Sequence, residues 1–265
     1  MDPDSRVYLC VVKNIDLFYK SVDEATKGQP DYLRKVLLDY DEVFQDVDSL
    51  PPHRDIDHKI ELLPDSIPPW KNTYHMSDEE LKRLKDELER LLKLGHIQRS
   101  TSPFGAPLFF VTEKMGKVRM VFDYRALNKI TIKNRTALPN ITKTLDQLRD
   151  ARVFTKIDLQ SGYYLIQMAE GHKHKTAFQT KYRHFEFLVM PFGLCNAPAM
   201  FQTFMNDIFR DLLDTCVVVY LDDILVYSRT HEEHEQHLRT VLERLKKHQL
   251  RAQRESTSAV FSKHL

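Results

Sequence analysis

Apolar residues along this chain recur in two rhythms, one helical and one alternating, and each predicts its own kind of element. Leu81, Leu84, Leu88, Leu91 and Leu92 recur at helical spacing and predict an amphipathic helix from Ser77 to Gly95. Ser77 with Glu80 reads as a capping box, Met76 with Leu81 as a hydrophobic staple, and Gly95 as the stop. Its expected role is scaffold rather than site. Leu33, Val36, Leu37, Tyr40 and Phe44 predict a shorter helix, and further helices are expected over Asn140 to Asp150, Asn196 to Leu213 and, heavily charged, about His231 to Leu250. Runs rich in β-branched and aromatic residues predict strands at Pro103 to Val111, Val118 to Phe122, Val153 to Leu159, Leu165 to Met168, Phe185 to Val189, and on both sides of Asp222-Asp223. Pro51-Pro52, Pro64 and Pro68-Pro69 break regular structure, so residues 1–75 read as a partly extended lead-in. Hairpins outnumber plausible crossovers between parallel strands. The fold class expected is α+β, a mainly antiparallel sheet packed on helices.

Composition changes this picture little. The 265 residues are 42% hydrophobic, enough for a sizeable core. Lys and Arg total 39 against 38 Asp and Glu, a net charge of +1, so overall charge says nothing about a polyanionic partner. Local charge says more. Lys114, Lys117, Arg119, Arg125, Lys129, Lys133 and Arg135 against Glu113 and Asp123 leave +5 between residues 113 and 135. A second cluster runs through His172, Lys173, His174, Lys175, Lys181, Arg183 and His184. Such clusters either track a phosphate backbone or form ordinary solvated faces. Cys10, Cys195 and Cys216 lie far apart without zinc-ligand spacing and read as reduced thiols. No apolar stretch is long enough for a membrane span, and the acidic start Met1-Asp2-Pro3-Asp4 does not suggest a signal peptide. The compartment expected is cytoplasmic or nuclear.

The chemistry concentrates at Tyr220-Leu221-Asp222-Asp223, where two adjacent carboxylates sit between strand-forming runs, at the tip of a hairpin. Carboxylates held among apolar strands need a compensating cation, and hard oxygen ligands suit Mg²⁺. The alternative is a solvated turn, in which Asp is common.

Phe154 to Tyr163 (FTKIDLQSGY), Tyr220 to Ser228 (YLDDILVYS) and other stretches, in order, resemble the reverse transcriptases of gypsy-type LTR retrotransposons. Lys117 to Lys129 (KVRMVFDYRALNK) resembles their fingers, and Phe154 to Tyr163 (FTKIDLQSGY) their first palm motif. Lys175 to Phe178, Phe185 to Leu194, Cys195 to Gln202 and Tyr220 to Ser228 are similar to the following blocks. The resemblance spans roughly residues 36 to 250. It implies a right-hand polymerase palm with fingers: fingers and the start of the palm over 76–150, and palm with a charged helix over 151–250, interrupted by a fingers insertion at about 169–190.

Carried over by position, the resemblance implies that Asp158, Asp222 and Asp223 form a metal-binding catalytic triad for two Mg²⁺ ions, with Mn²⁺ as a possible substitute. Lys114 and Arg119 would contact the triphosphate of a deoxynucleoside triphosphate, with an ordinary solvated turn as the alternative. Tyr163 would block a ribose 2′-hydroxyl or, alternatively, is a core tyrosine. Phe192 and Gly193 would contact template and incoming nucleotide, while Asp123 and Arg125 would be structural or template-side residues of the fingers. The implied partners are an RNA or DNA template with its primer, deoxynucleoside triphosphates, and the other domains of a polyprotein; no membrane is implied. The implied setting is a cytoplasmic virus-like particle or the nucleus.

Two departures stand out. Arg183 replaces a usually small residue in the turn before His184, where a positive φ would strain it, and Cys195 is atypical. After Leu250 the polar run Arg251 to Val260 departs from the family, so 251–265 is expected to be disordered, with primer grip, thumb, connection and ribonuclease H parts absent and a frame change or mis-joined exon near Arg251 as the source. The function expected is an RNA-directed DNA polymerase domain. The alternatives are a catalytically inactive transposon remnant that at most binds nucleic acid, and a metal-dependent phosphohydrolase on a similar scaffold.

Overall fold

A computed structural model gives the fold, and it describes residues 31–46, 49–112, 118–134, 148, 150–254 and 258–261. In chain order the elements are α1 (Asp31–Asp39), a 3-10 turn (Asp41–Phe44), α2 (Asp78–Lys93), β1 (Ile97–Arg99), β2 (Leu108–Thr112), β3 (Val118–Phe122) and α3 (Arg125–Ile130). They continue with β4 (Val153–Asp158), 3-10 turns at Gly162–Leu165 and Lys173–Thr176, β5 (Phe178–Gln179), β6 (His184–Phe187) and α4 (Ala197–Ile208). Last come β7 (Val217–Tyr220), β8 (Asp223–Ser228), α5 (His231–Lys247) and β9 (Ser258–Phe261). Every pairing between these strands is antiparallel, in agreement with the α+β expectation.

The chain forms two compact units, each assembled from separated segments. One comprises residues 1–46, 137–160 and 205–265; the other comprises 47–136 and 161–204. In the first, four strands form a sheet in the order β7-β8-β4-β9. Helix α5 packs on β8 and β4 through Leu238, Val241, Leu242 and Leu245, all fully buried at helical spacing. Thr230 caps its start by accepting a hydrogen bond from the Glu233 N–H. On the sheet face toward α5, the ring of His234 meets the Thr155 hydroxyl at 2.7 Å and the Ser228 hydroxyl at 2.9 Å, tying β4 to β8. The opposite face carries Phe154, Leu225 and Tyr227, packed with Leu148, Ala151 and Val218.

The second unit holds a three-stranded sheet, β1-β6-β5, and the β2-β3 hairpin. Phe122, Phe178 and Phe187 meet edge-on or tilted at 4.7–5.2 Å between ring centres, forming its aromatic core. Helix α2 begins as the capping box predicts, with both Ser77–Glu80 hydrogen bonds formed. The segment through Pro64 and Trp70 is extended, touching the body by single bridges at Leu62–Thr131 and Trp70–Gly105.

Three expectations are corrected. Leu165 to Met168 is not a regular strand: Leu165 ends a 3-10 turn, and Gln167 and Met168 make only isolated bridges, to Val189 and His58. Arg183 is not strained, because it lies outside the positive-φ residues; Thr180 instead accepts the N–H groups of Tyr182 and Arg183 and closes the turn. Nor is the region after Leu250 without structure. Ser258–Phe261 pairs with Val153–Lys156 of β4, while Ala252 bridges Leu159 and donates to the Val43 carbonyl. The polar stretch that precedes it hid this strand, although Ala259, Val260 and Phe261 are apolar, and the free edge of β4 supplies the backbone donors and acceptors with which it pairs. The helix expected over Asn140 to Asp150 falls almost wholly outside the described residues.

Buried histidines set an acid limit in both units. Burial, reinforced by neighbouring cationic groups, lowers His58, His96 and His234 from 6.5 to about 4. Each is neutral when folded and takes up a proton on unfolding, so its contribution is complete above about pH 6.5 and is lost as pH falls toward 4. Thermal melts are expected to show a loss of up to about 2 kcal/mol per histidine by pH 5. His234→Gln should flatten that slope; an unchanged slope would remove His234 from the account.

Candidate active site

The acidic hairpin is built by sequence-adjacent strands whose register is fixed on both sides. Tyr220 pairs with Asp223, leaving Leu221 and Asp222 as a two-residue loop. Leu221 takes φ +55°, a conformation normally left to Gly, while its side chain is buried. That burial offsets the backbone strain. Across the sheet, Asp158 at the end of β4 stands directly opposite Asp223 at the start of β8. The Leu159 N–H donates to the Asp222 carbonyl at 3.1 Å, and the Gln253 N–H to the Asp158 carbonyl at 2.8 Å. Backbone hydrogen bonds thus hold all three aspartates at one end of one sheet.

Strand alternation puts Asp158 and Asp223 on the face away from α5, in line with Lys156. Lys156 Nζ lies 2.9 Å from Asp223 Oδ1, with both side chains partly buried. This lysine was missed from the sequence, although its position two residues before Asp158 places it on the same strand face. Among the described residues, no three His, Cys, Asp or Glu side chains converge as a ready metal cluster. The donor chemistry still suits a hard divalent cation: two opposed carboxylates, with a third in the adjoining turn, supply oxygen ligands alone.

The second unit gathers most of the remaining expected residues. Ser161 and Gly162 both have positive φ and turn the chain into the 3-10 segment that carries Tyr163. The Tyr163 ring lies 4.8 Å from Phe192 and 5.6 Å from the buried Phe201. On the outer side, the Arg119 guanidinium sits over Phe192 at 5.7 Å. Gly193 follows at φ +95°, and a β-carbon there would come within 3.3 Å of the Phe122 carbonyl oxygen. Asn128 clamps this turn, donating to the Gly193 carbonyl and accepting from the Cys195 N–H. Lys114 lies outside the described residues.

Arg119, Phe192 and Gly193 line a cavity of about 810 Å³ whose other wall is α2, through Arg83, Glu87 and Arg90. Helix α2, expected as scaffold, contributes these polar side chains to the cavity wall. Asp123 stands apart as an anchor: buried, it accepts two hydrogen bonds from the Arg125 side chain at 2.8 Å and one from the Tyr74 hydroxyl at 3.0 Å. The Arg125 hydrogen bonds, against the cost of burial, hold its carboxyl well below the usual range.

The chain is similar in sequence and in fold to known proteins. The family model for reverse transcriptase (RNA-dependent DNA polymerase) matches residues 111–264. The Tf2-3 and Tf2-7 transposon polyproteins of Schizosaccharomyces pombe are each 37% identical over 195 residues, covering 74% of this chain and 15% of each polyprotein. This chain thus spans 15% of the length of those relatives. A foamy viral protease-reverse transcriptase in complex with RNA/DNA hybrid superposes with TM-score 0.75 at 23% identity, over 92% of this chain and 33% of that one. Another, in complex with ds DNA, gives 0.78 at 24%, over 94% and 44%. These likenesses show a shared fold.

Gly193→Ala is expected to cost about 1–3 kcal/mol, because the new β-carbon meets both a left-handed backbone and the Phe122 carbonyl. Denaturant unfolding measures it, and a neutral outcome would mean that the turn relaxes freely.

Proposed function

We propose that this chain, which belongs to the reverse transcriptase (RNA-dependent DNA polymerase) family, is the part of an RNA-directed DNA polymerase that holds the catalytic metals and the incoming deoxynucleotide. The observation that carries the proposal is the register of β4 and β8, which sets Asp158 opposite Asp223 with Asp222 in the adjoining turn. Divalent metal bound there, two Mg²⁺ or Mn²⁺ in their place, supplies an activated primer 3′-hydroxyl and charge neutralisation at the departing pyrophosphate. The three aspartates hold that charge at a fixed place on the sheet. Lys156, paired with Asp223, offsets the repulsion between the carboxylates and would give up that pairing where Asp223 held a metal.

In the other unit, Arg119 with Lys114 takes the triphosphate, where fixed cations meet negative charge developing on the leaving group. The Tyr163 ring, backed by Phe201, offers a flat wall against a ribose 2′-hydroxyl. Phe192 and the β-carbon-free Gly193 leave room for template and incoming nucleotide. Asp123 fixes Arg125 on the template side. The partners are a primed RNA or DNA template, deoxynucleoside triphosphates and the other domains of a polyprotein. The foamy viral enzymes bound to RNA/DNA hybrid and ds DNA support the nucleic-acid part of this reading. Among the described residues no helix is long and apolar enough to cross a membrane, and the proposed setting is a cytoplasmic virus-like particle or the nucleus.

A second reading, nucleic-acid binding without catalysis, is favoured by the Lys156–Asp223 ion pair, which already satisfies one carboxylate. Primer extension on an RNA template separates the two. The chain with Mg²⁺ is expected to extend the primer, Asp222→Asn to lose about a hundredfold or more, and chelation to abolish extension. No extension by the folded chain would reject the catalytic reading. Tyr163→Val is expected to raise ribonucleotide relative to deoxynucleotide incorporation by roughly tenfold or more. That ratio does not depend on the folded fraction, and a constant ratio would leave Tyr163 a packing residue.

A further inference from the structure

The cation-rich run from His172 to His184 is divided by the fold into an inner and an outer part. Lys175 donates to the Ile60 carbonyl, His172 contacts the same segment, and Lys173 is paired with Glu170. Those groups are engaged by partners within the unit. Lys181, Tyr182 and Arg183 instead stand exposed at the tip of the β5–β6 hairpin, with Tyr182 at 49% exposure. The tip is rigid, because the Thr180 hydroxyl accepts two N–H groups across it and donates to the Arg183 carbonyl. At its base Trp70, 54% exposed, sits edge-on to His184 at 5.6 Å between ring centres. Gly105 lets the indole lie there, since a β-carbon would come within 2.5 Å of it. Gln179 ties the same hairpin to the Lys71 carbonyl. Nearby acids are occupied: Glu186 by Gln98 and Ser100, and Asp123 by Arg125 and Tyr74.

We propose that Lys181, Tyr182, Arg183 and Trp70 form a surface for an unpaired nucleic-acid strand, in which exposed rings stack on bases and the flanking cations meet phosphates. The inference rests on the polymerase reading, whose unpaired template would be the occupant. Two exposed aromatic rings on a hydrogen-bonded support, beside cations that no ion pair among the described residues engages, suit a strand whose bases are free. A duplex hides those faces, and an acidic protein segment offers no stacking partner.

Fluorescence anisotropy of the whole chain with labelled oligo(dT), oligo(U) and a blunt duplex, across a salt series, tests it, with primer extension run in parallel. Tyr182→Ala is expected to weaken binding of both single strands about five- to tenfold and to leave duplex binding within twofold. The double variant K181S/R183S is expected to reduce the salt dependence of single-strand binding by a slope of about 1. Unchanged single-strand binding in both variants, equal loss on the duplex, or no single-strand binding by the parent chain would each overturn the inference. If extension proceeds while the variants bind like the parent, the surface assignment fails and the polymerase reading stands. If the variants lose single-strand binding while no preparation extends a primer, the surface stands and the catalytic reading fails.

Discussion

Two carboxylates placed directly opposite one another on paired strands repel, and sheets ordinarily avoid that arrangement. Here Asp158 faces Asp223, and much of the first unit can be understood as holding that opposition in place. A slip of one residue in either strand would turn that strand's aspartate toward α5 and end the opposition. The His234 ring prevents it by bonding to a hydroxyl on each of the two strands, Thr155 on β4 and Ser228 on β8, from a helix whose apolar face is fully buried. Leu221 keeps the loop tight by burying its side chain despite a left-handed backbone, and the Gln253 N–H secures the far side of Asp158. Lys156 then supplies the cation that two facing carboxylates demand.

The second unit solves a different problem, that of keeping aromatic surface partly open without losing its shape. Phe201 is buried, Tyr163 leans on it, Phe192 leans on Tyr163 at the surface, and Arg119 covers Phe192. Each ring is supported by the one beneath, so the outer ones stay ordered while exposed. Gly193 eases the packing, because its turn combines a left-handed backbone with a close approach to the Phe122 carbonyl, both of which disfavour a side chain.

Features that depend on local chemistry were legible in the sequence. The capping box at Ser77 and the hairpin at Asp222-Asp223 follow from residues within a few positions of one another. What the sequence hid depends on partners far along the chain. The polar run after Leu250 gives little sign of a strand, yet Ser258–Phe261 pairs because β4 has an edge to offer. Lys156 reads as an ordinary strand lysine until the register of β8 brings Asp223 to it. The polar face of α2 acquires meaning only once β3 and the Phe192 turn enclose a cavity against it.

The same dependence on tertiary context explains why a net charge of +1 is a poor guide to the chain's partners. Charge acts through where it is left after the interior has taken what it needs. His58, His96 and His234 are buried and neutral, Lys175 is spent on a backbone carbonyl, and Asp123 is bound by Arg125. What remains at the surface is uneven: carboxylates at the end of one sheet, and cations with aromatic rings at the tip of a hairpin on another. A balanced total is therefore compatible with carboxylates gathered at one place and cations at another, because charge acts through its local arrangement.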